Sequence, residues 1–144
     1  MSNPRPIEIL IVEDSPSDRL MAREALRETN LPMRIHEVED GIEAIRFLYR
    51  RPPYESVPRP SLVLLDLNLP RKDGREVLEE VKNDPALKMI PIVVLTTSKA
   101  EQDVVRAYSA HANCYLTKPV GFESFNEIFK TIERFWLGTV VLPP

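Results

Sequence analysis

Five short apolar runs divide the chain, and between them apolar residues recur at three- and four-residue spacing. The first pattern belongs to strands and the second to one face of a helix. Ile7–Val12 (IEILIV) is a nearly continuous apolar run that stops at Glu13-Asp14. Met33–Glu39 sets Met33, Ile35 and, less cleanly, Val38 against polar neighbours, as in a strand with one face more exposed. Leu62–Leu65 is wholly apolar and runs straight into Asp66. Pro91–Thr96 (PIVVLT) ends in hydroxyl residues, and the short Asn113–Thr117 ends at Lys118-Pro119. Uninterrupted runs of this kind suit strands covered on both faces of a parallel sheet.

The intervening segments read as helices. Ser15-Pro16-Ser17-Asp18 starts one, with Ser15 at the N-cap, Pro16 at N1 and Asp18 at N3. Met21, Ala22, Ala25 and Thr29 make its inward stripe, and Asn30-Leu31-Pro32 stops it. Asp40-Gly41 opens a second helix, with Ile42, Ile45, Leu48 and Tyr49 inward. Arg75–Asn83 carries Val77, Leu78 and Val81 on one side and closes at Asp84-Pro85. Glu101–Ala110 is the fourth helix; Gly121–Trp136 is the last, with Phe122, Phe125, Phe129, Ile132 and Trp136 along one face. Between the second helix and the third strand, Pro52, Pro53, Pro58 and Pro60 make a stiff surface connector that neither a helix nor a sheet ladder tolerates. Strand–helix alternation repeated five times predicts one α/β domain, a (βα)5 chain with helices on both faces of a parallel sheet.

Composition changes this picture little and narrows the function. At 144 residues the chain fits one domain, and 43% apolar with 28% charged residues is ordinary globular composition. A net charge of −3 without clustered Lys and Arg excludes a nucleic-acid surface. No apolar run nears the roughly 20 residues of a membrane span, and MSNPRPIEILIV lacks a signal-peptide cleavage pattern. A cytoplasmic, reduced protein is expected. Cys114 stands alone and reads as a buried structural thiol. His36 and His111 are too isolated for a zinc site or a nucleophile–base pair, and surface positions are expected for both.

The chemistry lies at the strand ends. Asp66, met alone, reads equally as a reactive carboxylate at the carboxyl end of a strand or as a turn aspartate. Its companions weigh on the choice: Glu13-Asp14, Asp66, Thr96 and Lys118 all fall at carboxyl ends and so share one rim. Carboxylates gathered there require a cation, and hard oxygen donors favour Mg²⁺. A lysine and a hydroxyl opposite complete a site for phosphoryl transfer, in which an aspartate can serve as nucleophile.

The set Glu13-Asp14, Asp66, Thr96 and Lys118-Pro119 resembles the receiver domain of two-component response regulators, over a stretch from Ile7 to about Trp136. The resemblance implies a flavodoxin-like doubly wound sheet of strand order 2-1-3-4-5. It implies Asp66 as phosphoacceptor, with Mg²⁺ held by Glu13, Asp14, Asp66 and the backbone carbonyl of Asn68. Thr96 and Lys118 would bind phosphoryl oxygens, and Pro119 would follow a cis peptide that aims the lysine. Thr96 and Tyr115 would be the switch pair, and phosphorylation would remodel the surface of the last two helices and the strand between them. Departures are the Glu-Asp acidic pair, Thr97 where the family keeps Ala or Gly, and the long proline loop. Thr97 would narrow access to the phosphoryl group. VEDSPSD, SLVLLDLNLP, VVLTTS, HANCYLTKP and FWLGTVVLP are more closely similar to the small stand-alone regulators of bacterial phytochromes, which implies a light-sensing histidine kinase as donor.

Other functions fit less well. A haloacid-dehalogenase-type phosphatase also uses an aspartate after a parallel strand but needs a second aspartate two positions on, where this chain has Asn68. Nucleotide-binding glycine loops are missing. On this reading residues 1–136 are the receiver, 137–144 an apolar tail, and no effector domain follows. Output would run through the domain's own surface, by partner binding or as a phosphorelay intermediate serving a second histidine. The tail LGTVVLPP either folds back on its own subunit or crosses to another; a homodimer through the last two helices, the last strand and the tail is the expectation adopted.

Overall fold

The computed structural model describes residues 5–144; residues 1–4, which begin the segment read above as no signal peptide, lie outside the described residues. In chain order the elements are β1 (Ile7–Val12), α1 (Pro16–Arg27), β2 (Met33–Val38), α2 (Gly41–Leu48), β3 (Leu62–Leu65), α3 (Gly74–Asn83), β4 (Ile92–Thr96), α4 (Glu101–Ser109), β5 (Cys114–Thr117) and α5 (Phe122–Ile132). A π-helical turn, Glu133–Leu137, follows α5 directly. The strands pair in parallel in the order β2-β1-β3-β4-β5, as the resemblance implied.

Local chemistry starts the first three helices. The Ser15 hydroxyl accepts the Asp18 N–H at 3.2 Å, Asp40 accepts that of Glu43 at 2.8 Å, and Asp73 accepts that of Arg75 at 2.8 Å. Each side chain satisfies one amide that the helix start leaves unpaired. The α4 and α5 helices have no such cap.

The sheet divides the core into two layers, and the strand period of two assigns residues to them. Leu10, Val12, Val63, Leu65, Ile92 and Val94 face α2, α3 and α4; Ile9, Ile11, Leu62, Leu64, Val93 and Leu95 face α1 and α5. Each of these side chains contributes about 1.5–3 kcal/mol by burial. That gain holds the strand ends, and whatever they carry, in fixed register.

Several inward positions differ from expectation. The α1 stripe is Ala22, Ala25 and Leu26, because the helix ends at Arg27 and leaves Thr29 beyond it. In α2 the buried set includes Ala44 and Phe47, whereas Ile42 and Tyr49 are half-buried. Phe122, at the first turn of α5, is 65% exposed. His36 is not a surface residue: it is half-buried, 3.2 Å from Glu8 and against the Phe47 ring. His111 is exposed. Cys114 is half-buried, and burial pushes its thiol up. In the tail, Leu137 joins the second core layer and Val141 is fully open. Leu142, Pro143 and Pro144 lie by Ile7, Pro58 and Pro60 of their own chain, around a cavity of about 720 Å³ at the amino ends of the strands.

Candidate metal and phosphoryl site

Strand order reverses direction between β1 and β3, so the carboxyl ends of these two strands flank the crevice where open α/β sheets bind ligands. Their register pairs Val12 with Leu65, and the Asp66 N–H donates to the Val12 carbonyl at 3.1 Å. Both chains therefore leave the sheet side by side. One carboxylate oxygen each from Glu13, Asp14 and Asp66 lies within 4.8 Å of the others. Asp14 is exposed, whereas Glu13 and Asp66 are buried.

Lys118 supplies the opposing charge. Its side chain is 6% exposed, and its ammonium donates to Glu13 Oε1, to Asp18 Oδ2 at 2.9 Å and to Asp66 Oδ2 at 2.9 Å, so all three of its hydrogens are used. Burial alone would lower the lysine's proton affinity, yet the contacts with Glu13, Asp18 and Asp66 outweigh it and hold the group well above its usual range. Glu13 is raised as well, against the direction that a lysine partner alone would give. Desolvation raises it to about 7, against the hydrogen bonds from Lys118 and from the Ser15 N–H at 3.0 Å. The remaining oxygen of Asp66, Oδ1, accepts the Asn68 N–H at 3.1 Å, so both sides of the carboxylate are held.

Thr96 and Tyr115 come together through a third residue. Thr96 is fully buried at the end of β4; its carbonyl accepts the Lys118 N–H at 2.7 Å, and its hydroxyl accepts the Ser98 N–H at 3.5 Å. The Tyr115 hydroxyl donates to the Ser98 carbonyl at 3.0 Å. The expectation for Pro119 is corrected: the Lys118–Pro119 peptide is trans, and the one cis peptide among the described residues joins Pro52 to Pro53. Lys118 is aimed by its backbone bond to Thr96 and by three carboxylates, an arrangement complete with the trans bond.

Sequence reasoning missed Asp18. It reads as an ordinary N3 residue of α1, but its carboxylate also anchors Lys118 from the first turn of that helix. The only local signal is its place one turn after the acidic pair. Also missed were Arg75, Asp103 and Ser98, which form a hydrogen-bonded cluster beside Thr96.

The oxygen-only donor set of Glu13, Asp14 and Asp66 fits a hard divalent cation. A profile of the "Response regulator receiver domain" matches residues 9–131. The chain belongs to the response regulator receiver family. This receiver is 50% identical over 142 residues to the response regulator Rcp1 of Synechocystis sp., covering 99% of this chain and 96% of that protein. The crystal structure of the Mn²⁺-bound form of Rcp1 superposes with a TM-score of 0.94 at 49% identity, covering 96% of this chain and 100% of that one. The phosphorylated cyanobacterial phytochrome response regulator RcpA superposes with a TM-score of 0.95 at 46% identity, covering 97% and 100%.

Proposed function

We propose that this receiver is a single-domain switch that accepts a phosphoryl group on Asp66 from a histidine of a sensor kinase of the phytochrome type. The observation that carries the reading is the Asp66 carboxylate itself, buried at the switch point of the sheet with Asn68 N–H on one oxygen and Lys118 on the other. A carboxylate so held is positioned for in-line attack. An Asp66 oxygen bonds to phosphorus as the phosphorus–nitrogen bond to the kinase imidazole breaks, and the freed nitrogen takes up a proton. Lys118 and Thr96 are then the groups that receive phosphoryl oxygens.

Glu13, Asp14, Asp66 and the Asn68 carbonyl would hold Mg²⁺, which neutralises charge that builds on the phosphoryl oxygens. The phytochrome pathway is supported by the similarity to RcpA and by the cyanobacterial relative at 50% identity. Thr96 turning toward the phosphoryl group and Tyr115 following it would alter the α4–β5–α5 face, where Val105 and Tyr108 are exposed. The same face and the tail form the homodimer contact in this reading, and the protein works in the cytoplasm. No helix among the described residues is long and apolar enough to cross a membrane. Relay of the phosphoryl group to a second histidine is the alternative output.

Intact-mass analysis after incubation with Mg²⁺ and acetyl phosphate tests the assignment. One phosphoryl adduct is expected on wild type and none on Asp66→Asn. An equally labelled Asp66→Asn protein removes Asp66 from the role. Transfer from a labelled phytochrome kinase, compared with an unrelated kinase, tests the pathway.

A further inference from the structure

The cavity of about 720 Å³ at the amino ends of the strands has the size of a small-molecule site. It opens at the end of the sheet opposite Asp66, about 16 Å away along the length of β1. Four chain segments bring arginines to its lining: Arg5 before β1, Arg34 in β2, Arg50 after α2 and Arg59 before β3. The one acidic side chain among them is Glu8, and it is already engaged, 3.2 Å from His36 Nε2 and 3.8 Å from Arg34. In a chain of net charge −3, this is a local excess of positive charge inside a concave surface.

The arginines are exposed, whereas Pro60, Ile90 and Pro91 of the same lining are buried, so charge rims the cavity and apolar surface floors it. Parts of the wall are fixed by the fold. Lys82 is buried and donates to the Lys88 and Ile90 carbonyls at 3.0 and 2.8 Å, and Arg59 donates to the Ala86 carbonyl at 2.7 Å. The Arg5 and Arg50 side chains, by contrast, pair with no carboxylate among the described residues. Arg50 stands at φ 54°, just past the last turn of α2, in a left-handed conformation that glycine adopts without strain. The turn itself has no need of a guanidinium there.

We propose that this cavity is a binding site for an organic polyphosphate of nucleotide size. A guanidinium takes phosphate oxygens in pairs, and an anion with several phosphates can engage several arginines at once. Inorganic phosphate would leave most of the volume unfilled, whereas Ile7, Pro60, Ile90 and Pro91 offer apolar contact to an organic body. Guanidiniums would here do the work of the glycine-loop amides that the chain lacks. The concave shape favours a small ligand over a membrane surface or an extended acidic peptide.

Titration of the full chain with ATP in EDTA, followed by calorimetry and amide NMR, tests the proposal with metal kept from the carboxylates. One site per chain is expected, with resonances moving at Ile7, Ser61 and Ile90 and staying in place at Asp66 and Thr96. Adenosine should not bind, and tripolyphosphate should bind about tenfold more weakly than ATP. Arg34→Gln and Arg50→Gly should each weaken ATP about tenfold, the worth of one charge-assisted hydrogen bond. Lys99→Gln, exposed at the opposite rim, should leave binding unchanged. Because Arg50→Gly relieves the left-handed backbone, its urea midpoint should hold or rise while its affinity falls, which a merely structural arginine would not show. Absence of ATP binding by wild type, full binding by both arginine variants, an equal loss in Lys99→Gln, or shifts at Asp66 in place of Ile7 would each overturn the proposal. So would a polyglutamate peptide or phosphatidylglycerol vesicles that bind more tightly than ATP, since either would make the cavity part of a docking surface. None of these outcomes touches the reading of Asp66, which acetyl phosphate labelling tests separately.

Discussion

Gly74 packs against the backbone of Asp66: a β-carbon at position 74 would overlap the Asp66 carbonyl oxygen and come within 2.7 Å of Leu67 Cα. The Gly74 N–H also donates to the Leu67 carbonyl at 2.9 Å. The start of α3 is thus pressed onto the loop that presents the carboxylate, and no flexible side-chain end is there to give way. Gly74→Ala must displace that loop. It is expected to cost about 1–3 kcal/mol, the range for overpacking, and to slow phosphoryl uptake at Asp66 beyond what the loss of folded protein explains. Thermal melts and acetyl phosphate labelling check it; an unchanged melting temperature with full labelling would contradict the packing argument.

Lys118 holds together carboxylates that otherwise repel. Lys118→Met leaves Glu13, Asp18 and Asp66 without their shared cation, and losing one partner of a buried pair costs about 3 kcal/mol. A divalent ion can take over part of that neutralisation, and a ligand that binds only the folded state stabilises it by mass action. Urea unfolding in EDTA should therefore show a large deficit for Lys118→Met, and Mg²⁺ should narrow it. A deficit of equal size in both buffers would mean that metal and lysine do not share the same carboxylates.

The strands and helices were legible because alternation and three-to-four spacing follow from which faces are covered, and the rim residues because each ends a strand. What escaped the sequence was long-range or depended on turn geometry. Asp18 and Lys118 are 100 residues apart, and Arg75 and Asp103 are 28 apart, so no local period links either pair. The last helix shows the second kind. A face carrying Ile132 and Trp136 presumes four-residue steps, but the π turn Glu133–Leu137 widens the step to five. Leu137 consequently enters the core where Trp136 was expected, and Trp136 stays half-buried.

Acid should weaken the Arg75–Asp103 tie in a defined window. Asp103 is depressed from 3.8 to about 2 in the folded protein, chiefly by its hydrogen bonds from Arg75. A carboxyl with a depressed folded-state value stabilises fully above its unfolded value and loses that contribution as pH falls toward the folded one. Asp103→Asn should thus lower the urea midpoint most at pH 5 and above, and the gap to wild type should shrink as pH falls from about 4 toward 2. A gap that is constant over this range would mean that the Asp103 charge contributes nothing.

The tail can be tested only with a cut that spares the core. Leu137 is buried in the layer under α1 and α5, so a chain ending at Trp136 would lose core packing along with the tail. Gly138 follows, and beyond it the Thr139 and Val140 N–H groups close the turn on the Phe135 carbonyl at 3.1 and 2.7 Å. Removal of residues 139–144 takes away Val140, Val141 and Leu142 but leaves Leu137 in place. Val141 is 94% exposed, and an aliphatic side chain left in water within a short apolar segment favours burial against another surface. If that surface belongs to a second copy, light scattering should show the full chain at dimer mass and the shortened chain at monomer mass. The urea midpoint of the shortened chain should then match that of full-length protein diluted to monomer. A dimer that survives the cut would put the tail outside the contact.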